Sequence, residues 1–382
     1  MILMNESKRH TFVFAGGGTG GHIYPGLAVA DCLRTLAKEN NQEIKIVWLG
    51  NSSGMDKNLV EKSGSVDKFI GIPSGKFRRD LSFKNFIDIF KIFAGCIKSF
   101  FVLLKLKPGI VFSKGGFVSV TPCFAASLLR IPVFTHECDF TPGLATKINT
   151  HFASKILVSY EETKNYLPAS KRNKALLTGN PVRPIFYSPN PENGKKFLFE
   201  NRSDYDPSKP ILLVLGGSLG AHQINQLIAD NIDYLCQKYN LVHQCGAKDA
   251  DLMPKDHAGY FLHPFIYSQM CDVISSADII ISRSGANSIW EASVLGKAMI
   301  LIPLMGAGTR GDQVDNAEYF EKKGAAIVLK GQDADESHLK EALDKLSDGA
   351  FRQKMADASK SLSEGKKPAL TIAEIIYSEG NK

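Results

Sequence analysis

The residues best suited to binding or catalysis lie near the start of the chain, in a glycine-dense turn formed by residues 16–21. His22 follows this turn directly. The apolar residues 12–14 before the turn predict a buried strand. The apolar spacing after it predicts a helix with Pro25 in its first turn. A strand, a glycine turn and a helix bring backbone N–H groups and a positive helix end to an anionic group. His22 is then a candidate general base, because imidazole titrates near neutral pH. It is equally a candidate hydrogen-bond donor to a phosphate, or a cap of the turn.

The same turn matches the spacing G-x-G-x-x-G of dinucleotide-binding proteins at Gly16, Gly18 and Gly21. Those proteins also carry an acidic residue at the end of the second strand, which binds a ribose. Here the second predicted strand, residues 44–49, runs into Gly-Asn-Ser-Ser-Gly, without a carboxylate. An NAD-binding oxidoreductase is therefore a disfavoured alternative.

Composition indicates an ordinary globular protein of 382 residues, with 44% hydrophobic and 22% charged residues, long enough for two or three domains. The net charge of +7 is spread along the chain. It favours an anionic partner such as a phosphate-bearing substrate or an acidic membrane, and it argues against a nucleic-acid-binding arm. Seven cysteines without a C-x-x-C pair or zinc spacing indicate a reducing compartment. The sequence predicts no signal peptide and no spanning helix.

No metal or other cofactor is expected. Three Asp-x-Asp pairs lie in polar, loop-like stretches, and we expect solvated carboxylates there rather than metal ligands. The pairs are Asp204 with Asp206, Asp249 with Asp251, and Asp333 with Asp335.

Strand-like apolar runs alternate with helical patterns along the whole chain, which predicts an α/β fold with parallel sheets. The predicted strands are residues 11–15, 44–49, 110–113, 133–135, 156–159, 211–215, 241–244, 279–282, 299–302 and 326–329. The polar residues 188–209 predict a linker or surface excursion. Because one plan occurs twice, we expect two Rossmann-like domains facing across a cleft, residues 1–183 and 184–367. A closing helix, residues 368–382, is expected to pack back on the first domain.

The second half offers further turns at strand ends. Ser218 lies in the glycine turn 216–220, where it offers a hydroxyl and an N–H to a diphosphate. Residues 283–287 lead into a helix predicted to begin near Ser288, which places Glu291 in its first turn. A carboxylate there can accept from both hydroxyls of a ribose, while amides of the turn meet phosphate. An acid in a first turn also stabilises a helix without any ligand, so both interpretations remain open.

Residues 76–107 combine apolar side chains at helical spacing with lysines on the other side. One interpretation is a core helix with a solvated basic face. The other is that the start of the segment contacts an anionic membrane surface, since such contacts use apolar and basic groups together. The membrane-contacting residues would be Phe77, Arg78, Arg79, Leu81, Phe83 and Phe86.

Seven motifs occur in one order along the chain: GGGTGGHIYPGLA, SKGGFVSVTP, HECDFTPGLATK, TGNPVR, GGSLGAHQIN, SRSGANSIWEASVLGKAMILIPL and GDQVDNAEYFEKKGAA. Together they closely resemble the MurG family, the bacterial N-acetylglucosaminyltransferases of peptidoglycan synthesis, across nearly the whole chain. The resemblance implies a GT-B fold, with the acceptor bound by the first domain and the UDP-sugar mainly by the second. It implies metal-independent transfer of N-acetylglucosamine from UDP-N-acetylglucosamine to the C4 hydroxyl of undecaprenyl-diphosphate-linked N-acetylmuramoyl-pentapeptide, with inversion. It also implies a peripheral position on the cytoplasmic side of the cell membrane.

The resemblance assigns site residues as well. Donor binding falls to Thr19, Gly20, Gly21, Asp139, Arg183, Ser218, Ile266, Met270, Ala286, Asn287, Ser288, Ile289, Trp290, Glu291 and Gln313. Acceptor binding falls to Gly17, Gly18, His22, Gly115 and Gly116, with His22 as the catalytic candidate. Within the donor set, the resemblance places Arg183 and Ser218 at the diphosphate, Glu291 at the ribose and Gln313 at a sugar hydroxyl.

Two features depart from the family pattern. Asp139 stands where the family usually has Asn, in His136-Glu137-Cys138-Asp139, and a carboxylate cannot donate to a sugar hydroxyl. The loop before Gln313, residues 305–312, is longer and glycine-rich. Two alternatives also remain: a related glycosyltransferase with a diacylglycerol-type acceptor, and a non-catalytic nucleotide-binding module.

Overall fold

A computed structural model describes residues 10–75, 83–217, 220–306 and 309–381. The chain forms two compact α/β units, each built on one parallel sheet. Unit 1 comprises Met1–Pro184 with Lys367–Lys382, and unit 2 comprises Ile185–Lys366. The α/β class predicted from the alternation of strands and helices is confirmed.

Unit 1 contains a seven-stranded sheet in the order β3-β2-β1-β4-β5-β6-β7. Its strands are β1 His10–Ala15, β2 Ile44–Asn51, β3 Lys68–Ile72, β4 Ile110–Ser113, β5 Val133–Glu137, β6 Lys155–Val158 and β7 Ala175–Leu177. Its helices are α1 Gly20–Glu39, α2 Asp56–Lys62, α3 Phe83–Leu106, α4 Val120–Leu128, α5 Leu144–Asn149 and α14 Pro368–Gly380. The C-terminal helix α14 packs on α1 through Ile372 and Ile376, within the core of unit 1.

Unit 2 contains a six-stranded sheet in the order β10-β9-β8-β11-β12-β13. Its strands are β8 Ile211–Leu215, β9 Asn240–Gln244, β10 Tyr260–His263, β11 Ile279–Ser282, β12 Ala298–Leu301 and β13 Ile327–Val328. Its helices are α6 Pro191–Phe199, α7 His222–Asp230, α8 Ile232–Lys238, α9 Met270–Ser276, α10 Ala286–Val294, α11 Asp312–Lys322, α12 Glu336–Ser347 and α13 Gly349–Ser361.

Both sheets are covered on two faces, which explains why their strands are nearly continuous apolar runs. In β1, Phe12 and Phe14 point to the side of α1 and α14, while Val13 and Ala15 point to the core beside α3 and α4. In each sheet the strand order reverses beside the first strand. In unit 1, β1 lies between β2 and β4, and in unit 2, β8 lies between β9 and β11. Open parallel sheets bind ligands outside the carboxyl ends of strands at such a switch point. The glycine turns after β1 and β8 lie there.

Three strands were missed, and one segment was misassigned. Strands β3, β7 and β10 are short, and each lies at the edge of its sheet, where the apolar signal is weak. The predicted linker 188–209 is wrong in part, because it contains α6. Asn190 caps that helix by accepting from the N–H groups of Glu192 and Asn193, both at 3.2 Å, and its last two residues, Leu198 and Phe199, are buried.

Two helices begin earlier than predicted. Helix α1 begins at Gly20, so Pro25 is its sixth residue rather than part of its first turn. Helix α10 begins at Ala286, which puts Glu291 in its second turn. In both cases the first helical turn consists of glycine or small and polar residues, Gly20-Gly21-His22 in α1 and Ala286-Asn287-Ser288 in α10, and the apolar periodicity begins only after it.

Helix α3 exposes its most apolar stripe. Phe90, Phe93 and Phe101 are 60%, 67% and 63% exposed. The side facing the core carries the small or polar residues Asp88, Gly95 and Ser99, and one large apolar residue, the fully buried Leu103. The interpretation of the aromatic stripe as a core face is therefore wrong. Among the helices that the structure describes, none combines the length and apolar character needed to cross a membrane.

Candidate active site

Two glycine turns meet at the carboxyl edge of the unit 1 sheet, because the strands before them, β1 and β4, are neighbours. The turn after β1 is held from below by Trp48, whose indole Nε1–H donates to the carbonyl oxygen of Gly16 at 2.9 Å. Gly116 has a positive φ of 76°. A Cβ on Gly116 would lie 2.6 Å from the carbonyl oxygen of Gly17. Glycine is required here because the two turns pack backbone against backbone.

Asp56 fixes the first glycine turn, and the sequence analysis missed it. Its carboxylate is 1% exposed. It accepts from the backbone N–H of Gly18 at 3.0 and 3.1 Å and from that of Asn51 at 2.8 Å. The amide of Gly18, predicted to face the acceptor, is thus directed to Asp56. The carboxylate absent from the tip of β2 is supplied by the first residue of α2, where it also meets the positive end of that helix.

His22 lies at the junction of the two glycine turns. It is the third residue of α1, half-buried, and its backbone N–H donates to the carbonyl oxygen of Thr19 at 3.2 Å. A Cβ on Gly116 would lie 2.9 Å from His22 Cδ2, and one on Gly115 would lie 3.7 Å from His22 Nδ1. The structure therefore brings together His22, Gly17, Gly115 and Gly116 from the predicted acceptor set. Thr19 precedes α1 as its N-cap residue, and Gly20 and Gly21 are its first two residues; all three are exposed or half-buried.

The loop after β5 carries the predicted donor residue Asp139 and is organised by Glu137. Glu137 Oε1 accepts from the N–H of Cys138 at 3.0 Å and of Asp139 at 3.1 Å, and Oε2 accepts from Gly143 N at 2.9 Å. Among the described residues, Glu137, Cys138 and Asp139 form the one group close enough to hold a metal ion. Both oxygens of Glu137 already serve three backbone amides, so this group does not fit a resident metal. Asp139 is half-buried at the loop's start.

His136 lies below that loop. Its Nε2 lies 3.0 Å from the carbonyl oxygen of Gly179, in the segment Thr178-Gly179-Asn180. The ring is 1% exposed. Burial, and next the positive charge of Lys114, hold the pKa of His136 well below its usual value. The imidazole is therefore neutral, and Nε2 donates its proton to Gly179.

Arg183 lies over α1. Its guanidinium carbon is 5.6 Å from the centre of the Tyr24 ring, a cation–π geometry. Tyr24 is the fifth residue of α1 and is 41% exposed. The cation of Arg183 thus lies beside the first turns of the helix that carries His22.

In unit 2, Gln244 joins two parts of the predicted donor site. Its side-chain oxygen Oε1 accepts from the backbone N–H of Ile266 at 2.9 Å, and its Nε2 lies 3.4 Å from the carbonyl oxygen of Gly217. Gln244 and Ile266 are each 2% exposed. Met270 begins α9 and is half-buried, one turn from Ile266. Ser218 lies outside the described residues, as do Phe77, Arg78, Arg79 and Leu81 of the predicted membrane segment; Phe83 and Phe86 lie in α3, without described side chains.

The predicted nucleotide segment is the first half of α10. Its residues divide by exposure: Ala286, Ile289 and Trp290 are buried, Asn287 and Glu291 are half-buried, and Ser288 is exposed. Trp290 packs edge-on against the ring of Phe320 in α11, with ring centres 5.4 Å apart. The buried three thus fix the helix in place, and their side chains are packing residues. Of the predicted donor residues in this helix, Asn287, Ser288 and Glu291 keep part of their surface exposed.

Gln313 and Ser284 link α11 to the turn before α10. The Ser284 hydroxyl donates to the carbonyl oxygen of Gln313 at 2.7 Å, and Gln313 Oε1 accepts from the N–H of Leu304 at 3.0 Å. With its oxygen used in this way, the Gln313 amide presents its NH₂ group as donor. Nearby, the Arg283 guanidinium donates to the carbonyl oxygen of Ile302 at 3.1 Å. Burial lowers the pKa of Arg283.

The Asp-x-Asp pairs make local contacts. Asp204 pairs with Arg202 at 3.0 Å, and Asp335 caps α12 by accepting from His338 N at 2.9 Å. Asp249 accepts from Asn225 Nδ2 at 2.8 Å. Its side chain is only 16% exposed, so the expectation of a solvated carboxylate is wrong at this position.

Comparison with known proteins gives matches over nearly the whole chain. Residues 12–158 match the N-terminal domain of glycosyltransferase family 28, and residues 211–372 match the C-terminal domain of that family. The chain is 51% identical to the UDP-N-acetylglucosamine--N-acetylmuramyl-(pentapeptide) pyrophosphoryl-undecaprenol N-acetylglucosamine transferase of Treponema denticola, over 96% of this chain and 97% of that protein. The chain belongs to the MurG family, within glycosyltransferase family 28. A protein of the same name from Treponema pallidum is 44% identical over 95% of this chain and 94% of its own.

Solved structures agree with this MurG-family assignment at the level of fold. A crystal structure of Acinetobacter baumannii MurG has a TM-score of 0.71 and 23% identity, and it covers 97% of this chain and 99% of that one. A UDP-GlcNAc 2-epimerase from Neisseria meningitidis, bound to UDP-GlcNAc, has a TM-score of 0.65 and 16% identity, covering 97% and 99% of the two chains. The predicted GT-B fold and glycosyltransferase activity are confirmed, and the oxidoreductase alternative is not supported.

Proposed function

We propose that this enzyme transfers N-acetylglucosamine from UDP-N-acetylglucosamine to the C4 hydroxyl of undecaprenyl-diphosphate-linked N-acetylmuramoyl-pentapeptide, which forms lipid II, the lipid-linked disaccharide precursor of peptidoglycan. The observation that carries the proposal is the 51% identity, over 96% of the chain, with a relative whose name states this donor and this acceptor. The same name on the 44% identical relative supports it.

We assign the donor to unit 2. The turn after β8, the Ile266 segment and the start of α10 all lie at the carboxyl edge of that sheet. The N-terminus of α10 directs backbone N–H groups and the positive end of the helix toward a diphosphate. The carboxylate of Glu291 would accept from the ribose hydroxyls, and the NH₂ group of Gln313 would donate to a sugar hydroxyl.

We assign the acceptor to unit 1, where His22 lies against Gly115 and Gly116. In the reaction the C4 oxygen of the muramoyl sugar attacks C1 of N-acetylglucosamine, and the bond from C1 to the diphosphate oxygen breaks. A single in-line attack inverts the configuration at C1. His22 would take the proton of the C4 hydroxyl, and UDP would leave as the diphosphate anion. Helix N-termini and the guanidinium of Arg183 would stabilise the developing negative charge.

The exposed face of α3 supports a peripheral position on an acidic membrane. Phe90, Phe93 and Phe101 form an apolar stripe, and Lys91 and Lys98 are exposed next to it. An amphipathic helix with these two classes of residue binds an anionic lipid interface. We extend the predicted contact from Phe77, Arg78, Arg79, Leu81, Phe83 and Phe86 along this stripe, and we place the protein on the cytoplasmic side of the cell membrane, where a nucleotide-sugar donor is available.

Vesicle pelleting tests the membrane contact. The double variant Phe93→Ser/Phe101→Ser should lose most of its binding to vesicles that contain anionic lipid. Leu252→Ser, which removes an equally exposed apolar side chain from unit 2, is the matched control and should bind like the wild type. Equal binding of all three proteins would remove α3 from the contact.

The proposed reaction is tested with radiolabelled UDP-N-acetylglucosamine and a panel of acceptors: a short-chain analogue of the lipid-linked muramoyl-pentapeptide, diacylglycerol, and no lipid. Label should move to the muramoyl lipid alone. Transfer to diacylglycerol instead would identify the alternative lipid acceptor, and absence of transfer to either lipid would contradict the proposal.

A further inference from the structure

The ammonium group of Lys114 is buried at the carboxyl end of β4, next to the two glycine turns of unit 1. The side chain is 1% exposed, and Nζ has no hydrogen-bond partner among the residues that the structure describes. The Cβ of Lys114 packs closely against two glycines. A Cβ atom added to Gly16 would lie 3.4 Å from Lys114 Cβ, and one added to Gly26 would lie 3.6 Å from it. The lysine stem therefore starts between the first glycine turn and α1.

A buried ammonium without a partner is costly, because an ion that leaves water loses several kcal/mol of solvation even after relaxation. Folded proteins compensate such a charge with an anion or with several hydrogen bonds. The buried carboxylates of the same sheet edge do not serve Lys114: Asp56 accepts from Gly18 and Asn51, and Glu137 accepts from three amides of its own loop.

A second polar atom next to Lys114 is also unsatisfied. His136 donates from Nε2 to Gly179, and its other nitrogen, Nδ1, is buried with no partner among the described residues. Lys114 and His136 directly follow the paired residues Ser113 and Thr135 of the neighbouring strands β4 and β5. A neutral imidazole cannot balance the ammonium, and the positive charge therefore remains uncompensated within the described part of unit 1.

We propose that Lys114 is a substrate-binding residue of unit 1, whose ammonium is the counter-charge for the diphosphate of the lipid-linked acceptor. The inference rests on the proposed function, since it needs an anionic acceptor at the two glycine turns. Two sources of positive potential meet at this edge: the N-terminus of the twenty-residue helix α1, and Lys114. The ammonium of Lys114 would offset the repulsion between a diphosphate placed there and the carboxylate of Asp56.

The variant Lys114→Met tests this, because methionine keeps the unbranched stem and removes the charge. We expect the KM for the acceptor analogue to rise by about tenfold or more, while the KM for UDP-N-acetylglucosamine stays within about twofold. Inhibition by farnesyl diphosphate, competitive with the acceptor, should weaken by the same factor. Farnesyl monophosphate should lose less, and farnesol should inhibit the variant and the wild type equally. Lys62→Met, which removes an exposed lysine of unit 1, is the control and should behave like the wild type.

The fold should survive Lys114→Met, because the change removes a buried charge that lacks a partner among the described residues, and its melting temperature should equal or exceed that of the wild type. If it does not fold, Lys114→Arg and Lys114→Gln replace it, and only the arginine variant should bind farnesyl diphosphate in calorimetry. Equal binding by the charged and uncharged variants would overturn the inference and leave Lys114 hydrated by a buried water. If wild-type protein binds farnesyl diphosphate through Lys114 but transfers no sugar, the proposed function fails and the anion site stands.

Discussion

The side-chain oxygen of Gln244 accepts a hydrogen bond from the backbone N–H of Ile266 at 2.9 Å, while its NH₂ group lies 3.4 Å from the carbonyl oxygen of Gly217. One buried amide thus spans the end of β9, the glycine turn after β8 and the segment that leads into α9. The proposed donor binds to the last two of these. We therefore expect Gln244 to be a positioning residue, which would act on the proposed donor through the backbone of two loops.

Removing that amide should weaken donor binding. Gln244→Ala leaves the buried N–H of Ile266 unsatisfied, a change that costs about 1–3 kcal/mol. We expect the KM for UDP-N-acetylglucosamine to rise by about tenfold, with the KM for the acceptor unchanged. Gln244→Glu should recover part of the loss, since its carboxylate still accepts from Ile266. Gln353→Ala, at an exposed glutamine of α13, is the control. An unchanged donor KM in Gln244→Ala would remove the positioning role.

Glu291 is the proposed ligand of the ribose hydroxyls. Glu291→Ala should raise the KM for UDP-N-acetylglucosamine by about tenfold or more, because hydrogen bonds to a charged group contribute about 1.5–3 kcal/mol. Steady-state kinetics with the 2′-deoxyribose donor gives the sharper result. The wild type should discriminate against that donor, and Glu291→Ala should not. Equal discrimination by both proteins would separate Glu291 from the ribose.

His22 has two candidate roles, and kinetics separates them. If His22 is the general base, the His22→Ala variant should have a kcat lower by about 10²–10⁴-fold. As a diphosphate contact alone, its loss should raise the KM for the acceptor and leave kcat nearly unchanged. We expect the fall in kcat. His22→Gln, which keeps a hydrogen-bonding side chain but cannot act as a base, should resemble His22→Ala in kcat and the wild type in acceptor KM.

Acid should destabilise unit 2 through His243. This fully buried imidazole contacts the hydroxyl of Tyr260 at 2.8 Å and Asn225 Oδ1 at 3.0 Å. Burial lowers its pKa from 6.5 to about 4. Because the folded-state pKa lies below the unfolded one, the stability present above pH 6.5 is lost as the pH falls toward 4. A shift of this size corresponds to about 3 kcal/mol.

Thermal melting between pH 7 and pH 4 measures that loss. In His243→Gln the side chain does not titrate, so the melting temperature of unit 2 should fall less between pH 7 and pH 4 than in the wild type. The variant should be less stable than the wild type at neutral pH, since it cannot make both hydrogen bonds of the imidazole. Parallel profiles for the two proteins would show that other groups control the acid response.

The fold followed from the sequence because buried parallel strands have a distinctive pattern. Runs such as residues 211–215 are apolar on both faces, and eight of the ten predicted strands match to within one residue at both ends. Edge strands such as Lys68–Ile72 were missed, since only part of their surface is buried. The prediction of a linker at residues 188–209 was wrong because α6 is mostly polar in sequence. Its buried face is short and includes only Gly194, Leu198 and Phe199.

The site was predictable where glycines and strand ends mark it, and not where distant residues complete it. His22, Gly115 and Gly116 come together because β1 and β4 are neighbours, a pairing that alternating α/β patterns predict. Asp56 and Gln244 had no signal of their own, because each acts on a loop 38 or 27 residues away in the chain. Lys114 had a weak signal: it is a charged residue directly between a buried apolar strand and two glycines.

The central claim is that one N-acetylglucosamine passes from UDP to C4 of a lipid-linked muramoyl sugar in a single inverting step. The most direct measurement is NMR of the disaccharide released from the purified product of the wild-type enzyme. We predict one new glycosidic bond, with the anomeric carbon in the β configuration and joined to C4 of the muramoyl residue. An α linkage, attachment at another hydroxyl, or free N-acetylglucosamine without a disaccharide would contradict the account.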